Sequence, residues 1–353
     1  MRSYKLFFYG MALAAMVLGF AACSKDDGEP FVPANDKGRL KAVIDSLQGV
    51  YDNAAEGIHP GQYATGAKAD LDSVMQLGKQ VFEGNTFSQQ QVNNAVQNLL
   101  FAGETFKGRL LQEVSAENLM ALWKFNGNAN DSSGREHHGL LKTGWIGSNA
   151  ATVTDGGTLP VLTQDRFGRP DMAYSFSNGA YIEVPYSPDL NPQSITISAW
   201  IKRTATSPGN YLLSLDRWNG YKFQLQSDNF LFFTFHDTNN GYHDIDNNPG
   251  AVPQNVWTQV AITYSSGSMK FYLNGSLSKA IDVTGVPVTV SGVNLAIGNE
   301  LPKSLYNFTD TSDPNYFWGA NYFAGSMDDI RIYNTALSAA EILSIFTQEN
   351  TLE

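Results

Sequence analysis

The chain has 353 residues, with 23 Lys+Arg against 34 Asp+Glu and a formal net charge of −11. That balance excludes an electrostatic footprint for nucleic acid or for an anionic lipid surface. A single cysteine excludes a disulfide framework, and the length suggests two domains.

Met1–Ala22 has a basic start (Arg2, Lys5) and then the apolar run FFYGMALAAMVLGFAA. This predicts a signal peptide over residues 1–22, set aside from fold reasoning; a retained membrane helix is the alternative. Removing Arg2 and Lys5 leaves 21 basic against 34 acidic residues, a charge of −13. The FAAC segment resembles a bacterial lipobox, with Phe20 where Leu is commoner. The resemblance implies lipid attachment at Cys23, and hence a protein anchored in the outer membrane by its acyl chains. Ser24-Lys25-Asp26-Asp27-Gly28-Glu29 resembles the acidic export tag of surface-displayed Bacteroidetes lipoproteins. An ordinary solvated tether is the alternative. Residues 23–35 read as this lipidated tether.

Three helices are predicted next. Leu40, Val43, Ile44, Leu47, Val50 and Tyr51 follow the i, i+3, i+4, i+7 rule of one apolar face. Leu71, Val74, Met75, Val81 and Phe82 repeat it, and a third stripe runs from Val92 to Leu110. Ser88 and Gln91 match a capping box, and GIHPGQY (57–63) makes a non-helical crossover. Short connections imply an antiparallel three-helix bundle over residues 36–115. Gly57-x-x-Pro60-Gly61-Gln62-Tyr63-x-x-Gly66-Ala67-x-x-x-Leu71, and the stretch from Thr86 through Gln91-Val92-x-x-Ala95 to Leu99, resemble the FIVAR-type three-helix module of bacterial surface proteins and glycan-degrading enzymes. That resemblance implies a stalk or binding module and no chemistry.

From Asn118 the period switches to two, with turn signals about every ten residues, as in an all-β sandwich. ALWKF (121–125) leads into an Asn-rich loop. AYSF and AYIEV are expected to form a hairpin around Asn178-Gly179. In ITISAWIK, Ile195, Ile197, Ala199 and Ile201 share one face. WTQVAITY, then MKFYLNGSL with a tight Asn274-Gly275 turn, and VNLAIG follow. In the last strand, AGSMDDIRIY, the alternation puts Asp328 in phase with Ile330 and Ile332, on the core side. Ser338 and Glu341 then cap a short helix.

FNGNANDSSGREHHG, RFGRPDMAYSFSNGAYIEVP, SITISAWIK, WTQVAITY, KFYLNG, LAIG and GSMDDIRIYNTALSAAEI occur in order. Together they resemble the laminin-G-like, concanavalin-A-like jelly-roll domains of secreted Bacteroidetes proteins, over residues 118–349. The resemblance implies two antiparallel sheets, so the fold class expected for the whole chain is multidomain: a small all-α bundle followed by an all-β concanavalin-A-like jelly-roll sandwich.

Two kinds of site follow. A buried carboxylate needs a partner, and Ca²⁺ takes six to eight oxygen ligands. Asn128, Asn130 and Asp131 lie in a Gly-containing loop that can turn carbonyls inward. In the resembled family an ion ties this loop to the last strand, which carries a structural Ca²⁺ role onto Asp131, Asp328 and Asn128. The alternative is that Asp131 caps a turn and Asp328 accepts backbone hydrogen bonds. Sugars bind to aromatic faces beside planar polar side chains. Three clusters fit: Asp216-Arg217-Trp218-Asn219-Gly220-Tyr221; His236 and Asp237 with Asn239, Asn240, Tyr242 and His243; and Tyr316-Phe317-Trp318 with Asn321 and Tyr322. Rim packing is the alternative for each.

Catalysis finds little support. Jelly-roll glucanases carry two glutamates around an aspartate on one strand, whereas His243-Asp244-Ile245-Asp246-Asn247 has a glutamate at neither end. Neither a zinc-type spacing nor a nucleophile elbow or phosphate loop occurs. The expected function is a non-catalytic, surface-exposed lipoprotein whose jelly-roll domain binds glycan, within a polysaccharide-utilisation system as the resemblance implies. An adhesin binding a host or neighbouring-cell protein is the alternative.

Overall fold

Apolar stripes at helical spacing become helices where they are expected: α1 (Gly38–Asn53), α2 (Ala67–Glu83) and α3 (Gln89–Lys107). The computed structural model describes residues 36–352 apart from 208 and 240. The expected signal peptide, Cys23, the tether and Asn240 lie outside the described residues. Leu40, Ile44 and Leu47 of α1 close a core with Leu71 and Met75 of α2 and Val92, Val96 and Leu99 of α3. The Ser88 capping box forms, its hydroxyl accepting from the Gln91 amide while the Gln91 side chain accepts from the Ser88 amide at 2.8 Å. The crossover carries a short parallel bridge between Glu56–Gly57 and Tyr63–Ala64. Among the described residues no helix is long and apolar enough to cross a membrane.

The alternating segments give fifteen strands in two main sheets. They are β1 (Leu119–Trp123), β2 (Leu140–Lys142), β3 (Val161–Thr163), β4 (Ala173–Phe176), β5 (Tyr181–Val184), β6 (Ile195–Arg203), β7 (Asn210–Leu215), β8 (Tyr221–Leu225), β9 (Leu231–His236), β10 (Tyr242–Asp246), β11 (Thr258–Ser265), β12 (Ser268–Leu273), β13 (Ser276–Ile281), β14 (Leu295–Ile297) and β15 (Gly325–Tyr333). One sheet has the order β13-β12-β11-β6-β15-β4-β3, with β1 also pairing β15. The other runs β10-β9-β8-β7-β14-β5-β2. Ile195, Ile197, Ala199 and Ile201 of β6 point into the core between the sheets, against Leu213, Phe223 and Phe233 of the second sheet. This is the all-β sandwich expected for a jelly roll.

The two Asn-Gly turns part company. Asn274-Gly275 joins the paired strands β12 and β13, with φ of 49° and 73°. Asn178-Gly179 has similar dihedrals (50° and 77°), yet β4 pairs with β15 and β3 while β5 pairs with β14 and β2. The segment is an arch between sheets, so the hairpin expected there does not exist. Both strands bury one apolar row in the common core: Tyr174 and Phe176 from one side, Ile182 and Val184 from the other.

The outer faces are covered differently. Helix α4 (Ala339–Glu349), started by the Ser338 capping box, lays Ile342 and Ile345 on Ala261, Tyr272 and Tyr333 of the eight-stranded sheet. Val114 and Leu119 join that cluster, and the Gln112 amide donates to Ser344 Oγ at 2.8 Å, which fixes the bundle's exit onto α4. On the seven-stranded sheet, the long connection before β15 packs Leu301, Tyr306 and Phe317 together as a partial roof. Its Lys303 amide donates to Tyr181 Oη at 3.0 Å.

Candidate functional site

Asp328 is buried, as expected, but on the other face of its strand. Ser198 pairs with Arg331 and Trp200 with Asp328, so Asp329 and Ile330 together oppose Ala199. This is a β-bulge, and Asp329 adopts φ 45° to make it. The extra residue flips the phase: Met327, Ile330 and Ile332 face the core, while Asp328 lies beside Trp200 under the end of α4. Its partner is Arg166, at 2.8 Å from Asp328 and 2.9 Å from Asp329. The same guanidinium donates to the Glu349 carbonyl and sits 4.6 Å from the Trp200 ring. Glu349 in turn accepts from Trp200 Nε1 at 2.8 Å and pairs with Arg331 at 2.6 Å. Burial pushes the carboxyls of Asp328 and Glu349 up, against the pull of the arginines.

Asp131 is occupied elsewhere. Oδ1 accepts from the amides of Leu122 and Ser133 at 2.9 and 2.8 Å; Oδ2 accepts from Ser133 Oγ and the His137 amide at 2.7 and 3.1 Å. Burial raises this carboxyl, but those hydrogen bonds outweigh it and hold the group below its ordinary value. Asn128 Oδ1 accepts from the Asn130 amide and belongs to the turn. Four donors therefore take up Asp131 and an arginine takes up Asp328. The donor set does not fit a calcium ion shared between them, and no group of three or more His, Cys, Asp or Glu suited to a metal occurs among the described residues.

The aromatic clusters lie along the seven-stranded sheet, and some of their members reach its outer face while others turn inward. The turn between β7 and β8 is tight: Asp216 and Arg217 take φ of 56° and 47°, and a Cβ at Gly220 would collide with the Leu215 carbonyl. Left-handed backbone at a long side chain is costly and needs an anchor. Arg217 supplies it, buried and paired with Glu300 at 2.8 Å, and donating to the carbonyls of Pro314 and Tyr316 at 2.7 and 3.1 Å. Tyr221 turns into the core, its hydroxyl donating to the Leu190 carbonyl. Arg217 and Tyr221, expected as ligand contacts, thus hold the turn from beneath.

Trp218 is the residue this turn displays, 37 % exposed. Its inner face lies on the Lys222 ammonium, 3.2 Å from the ring centroid, with Phe232 and Tyr211 at 5.4 and 5.7 Å. Burial pushes Lys222 down to about 7, although Asp244 and Glu300 pull the other way. Along this face the register runs Lys222–Thr234–Asp244 across β8, β9 and β10, and His236–Tyr242 one pleat away. Two strand spacings place the Asp244 backbone about 10 Å from that of Lys222. Asp244 is exposed and accepts from Thr234 Oγ1 at 2.6 Å. Tyr242, 54 % exposed, stacks on His236 with centroids 4.7 Å apart.

His243 points the other way, stacked on Phe235 with Nε2 2.8 Å from Asp237. It is a packing residue of the edge strand. Trp318, 62 % exposed, stands edge-on to Tyr316 on the roof, whose carbonyl accepts from Arg217 of the Trp218 turn. The structure therefore puts Trp218, over Lys222, and Tyr242, on His236, on one sheet face with Asp244, and leaves Trp318 on the neighbouring loop. A lysine in the middle of the apolar strand YKFQL was the available signal for Lys222.

Residues 176–343 match the family described as the concanavalin A-like lectin/glucanases superfamily. The matched stretch runs from the end of β4 into α4 and so takes in most of the sandwich. Among solved structures, domain 4 of the GH43 extracellular arabinanase AbnA from Geobacillus stearothermophilus, in complex with arabinotriose, is similar at 18 % identity. The match covers 65 % of this chain and 98 % of that one, with a TM-score of 0.46. The binding domain of Paraclostridial Mosquitocidal Protein 1 is similar at 18 % identity, covering 65 % of this chain and 52 % of that one, with a TM-score of 0.42. A structure of botulinum neurotoxin type C, whose cell entry depends on interaction with two ganglioside molecules, is similar at 20 % identity over 65 % and 51 % of the two chains, with a TM-score of 0.42. The match thus spans about half the length of the toxin chains. No curated protein matches the chain.

Proposed function

We propose that the chain is a non-catalytic carbohydrate-binding protein, held at the outer membrane through Cys23 and displayed at the cell surface, with the helical bundle as a spacer. The observation that carries the binding role is the exposed pair Trp218 and Tyr242 beside the free oxygen of Asp244 on one sheet face. Aromatic rings accept the apolar C–H faces of a pyranose, and a carboxylate accepts its hydroxyls. The lectin/glucanase family match is consistent with that use of the fold, and no acid/base pair of glutamates stands on β10. Lipid attachment and surface display rest on the FAAC segment and the acidic residues after it.

A glycan-array screen of the native chain and of Trp218→Ala tests the binding role. Binding in the native chain that falls about tenfold or more in the variant, as loss of one stacking ring implies, supports it. A native chain that is folded and binds no glycan rules it out in favour of protein adhesion. Incorporation of radiolabelled palmitate that disappears in Cys23→Ala tests the anchor.

A further inference from the structure

The charge of a binding face selects among ligands. A receptor for uronic acids or sulfated sugars needs an exposed cation that is not already neutralised. Among the described residues, three cations lie beside residues of the Trp218–Tyr242 sheet face, and each is buried or paired. Lys222 is 2 % exposed beneath the indole, Arg217 is equally buried on Glu300, and Lys279 reaches the Asp246 carboxylate at 3.3 Å. Asp244, in contrast, is exposed, and among the described residues no cation lies within ion-pairing distance of it. A ligand carboxylate or sulfate placed there meets like charge, with the Lys222 ammonium covered by the indole. The hydroxyls of an uncharged sugar can donate to the same oxygens.

Resting on the carbohydrate-binding reading, we propose that the face takes uncharged sugar units and rejects anionic ones, with Lys222 a positioning residue beneath Trp218 and not an anion receptor. The ammonium fixes the inner face of the indole and leaves the outer face to the ligand. The strained turn at Asp216 and Arg217, anchored by a buried ion pair, sets the ring in that place.

The test is titration of the full chain with cello-, xylo- and arabino-oligosaccharides, and with oligogalacturonate and heparin oligosaccharides, at 0.05 and 0.5 M NaCl. Affinity for a neutral probe should change less than about twofold with salt, and the anionic probes should bind about tenfold or more weaker. Asp244→Asn should narrow that gap. Lys222→Met should weaken neutral binding without creating salt dependence. It should also shift the fluorescence of Trp218, a change that vanishes in the Trp218→Phe background. Oligogalacturonate or heparin binding as tight as any neutral probe, weakened by salt and lost in Lys222→Met, overturns the proposal. Absence of binding to every probe by folded protein overturns the carbohydrate reading itself, and the selectivity with it.

Discussion

Arg166 faces two adjacent carboxylates of β15 and the last carbonyl of α4 with one guanidinium. Removing it leaves buried negative charge without a partner, a situation that costs about 3–5 kcal/mol. Arg166→Met should therefore lower the unfolding free energy by about that amount in a urea titration, with no new cavity to explain the loss. The pH dependence has a defined sign. Burial raises the carboxyls of Asp328 and Glu349, Glu349 to about 7, so the folded state binds their protons more tightly than the unfolded chain does. Their contribution is full below the ordinary carboxylate range and is lost as pH rises through about 7 for Glu349 and about 8 for Asp328. Stability measured from pH 5 to 8 should fall, and fall less steeply in Asp328→Asn. That Asp328 is buried and needs a partner was legible in the alternation of MDDIRIY. Its face and its partner were not, because a bulge at Asp329 reverses the phase and Arg166 lies 162 residues away in sequence. The arginine in RFGRP carries no local mark of that role.

Elements were legible where their signals are local. Both capping boxes form, and Ser338→Ala, which removes the acceptor for the Glu341 amide at the start of α4, should cost about 1 kcal/mol in chemical denaturation. Cooperative loss of Tyr333 and Trp200 packing would accompany any larger effect, since α4 rests on that sheet. Local turn chemistry did not determine strand partners. Asn178-Gly179 and Asn274-Gly275 have nearly the same dihedrals, yet one closes a hairpin and the other carries the chain between sheets. Partner choice there is a long-range outcome: β15 and β14 claim β4 and β5 separately. The aromatic clusters were legible as segments, but their inward and outward members were sorted only by packing. Tyr221 and His243 have the same residue types as exposed ligand platforms and are held by Leu190, Asp237 and Phe235 instead.

At the scale of the whole molecule, the helical bundle is fixed to the sandwich through Gln112, Val114 and α4, and the opposite sheet carries the face proposed to bind sugar. The sandwich is closed at β15 by arginine–carboxylate pairing, with Asp131 pinning its own loop to β1 by hydrogen bonds. Chelation with EDTA should accordingly leave the melting temperature unchanged; a large drop would show that an ion is bound after all. A ¹H–¹⁵N NMR titration of the native protein with the tightest-binding neutral oligosaccharide locates the binding face residue by residue. Shifts are expected at the Trp218 indole and at the amides of Tyr242 and Asp244, with Trp200 and Trp123 unmoved. Shifts confined to the helical bundle, or to the Trp200 side of the sandwich, would contradict that placement.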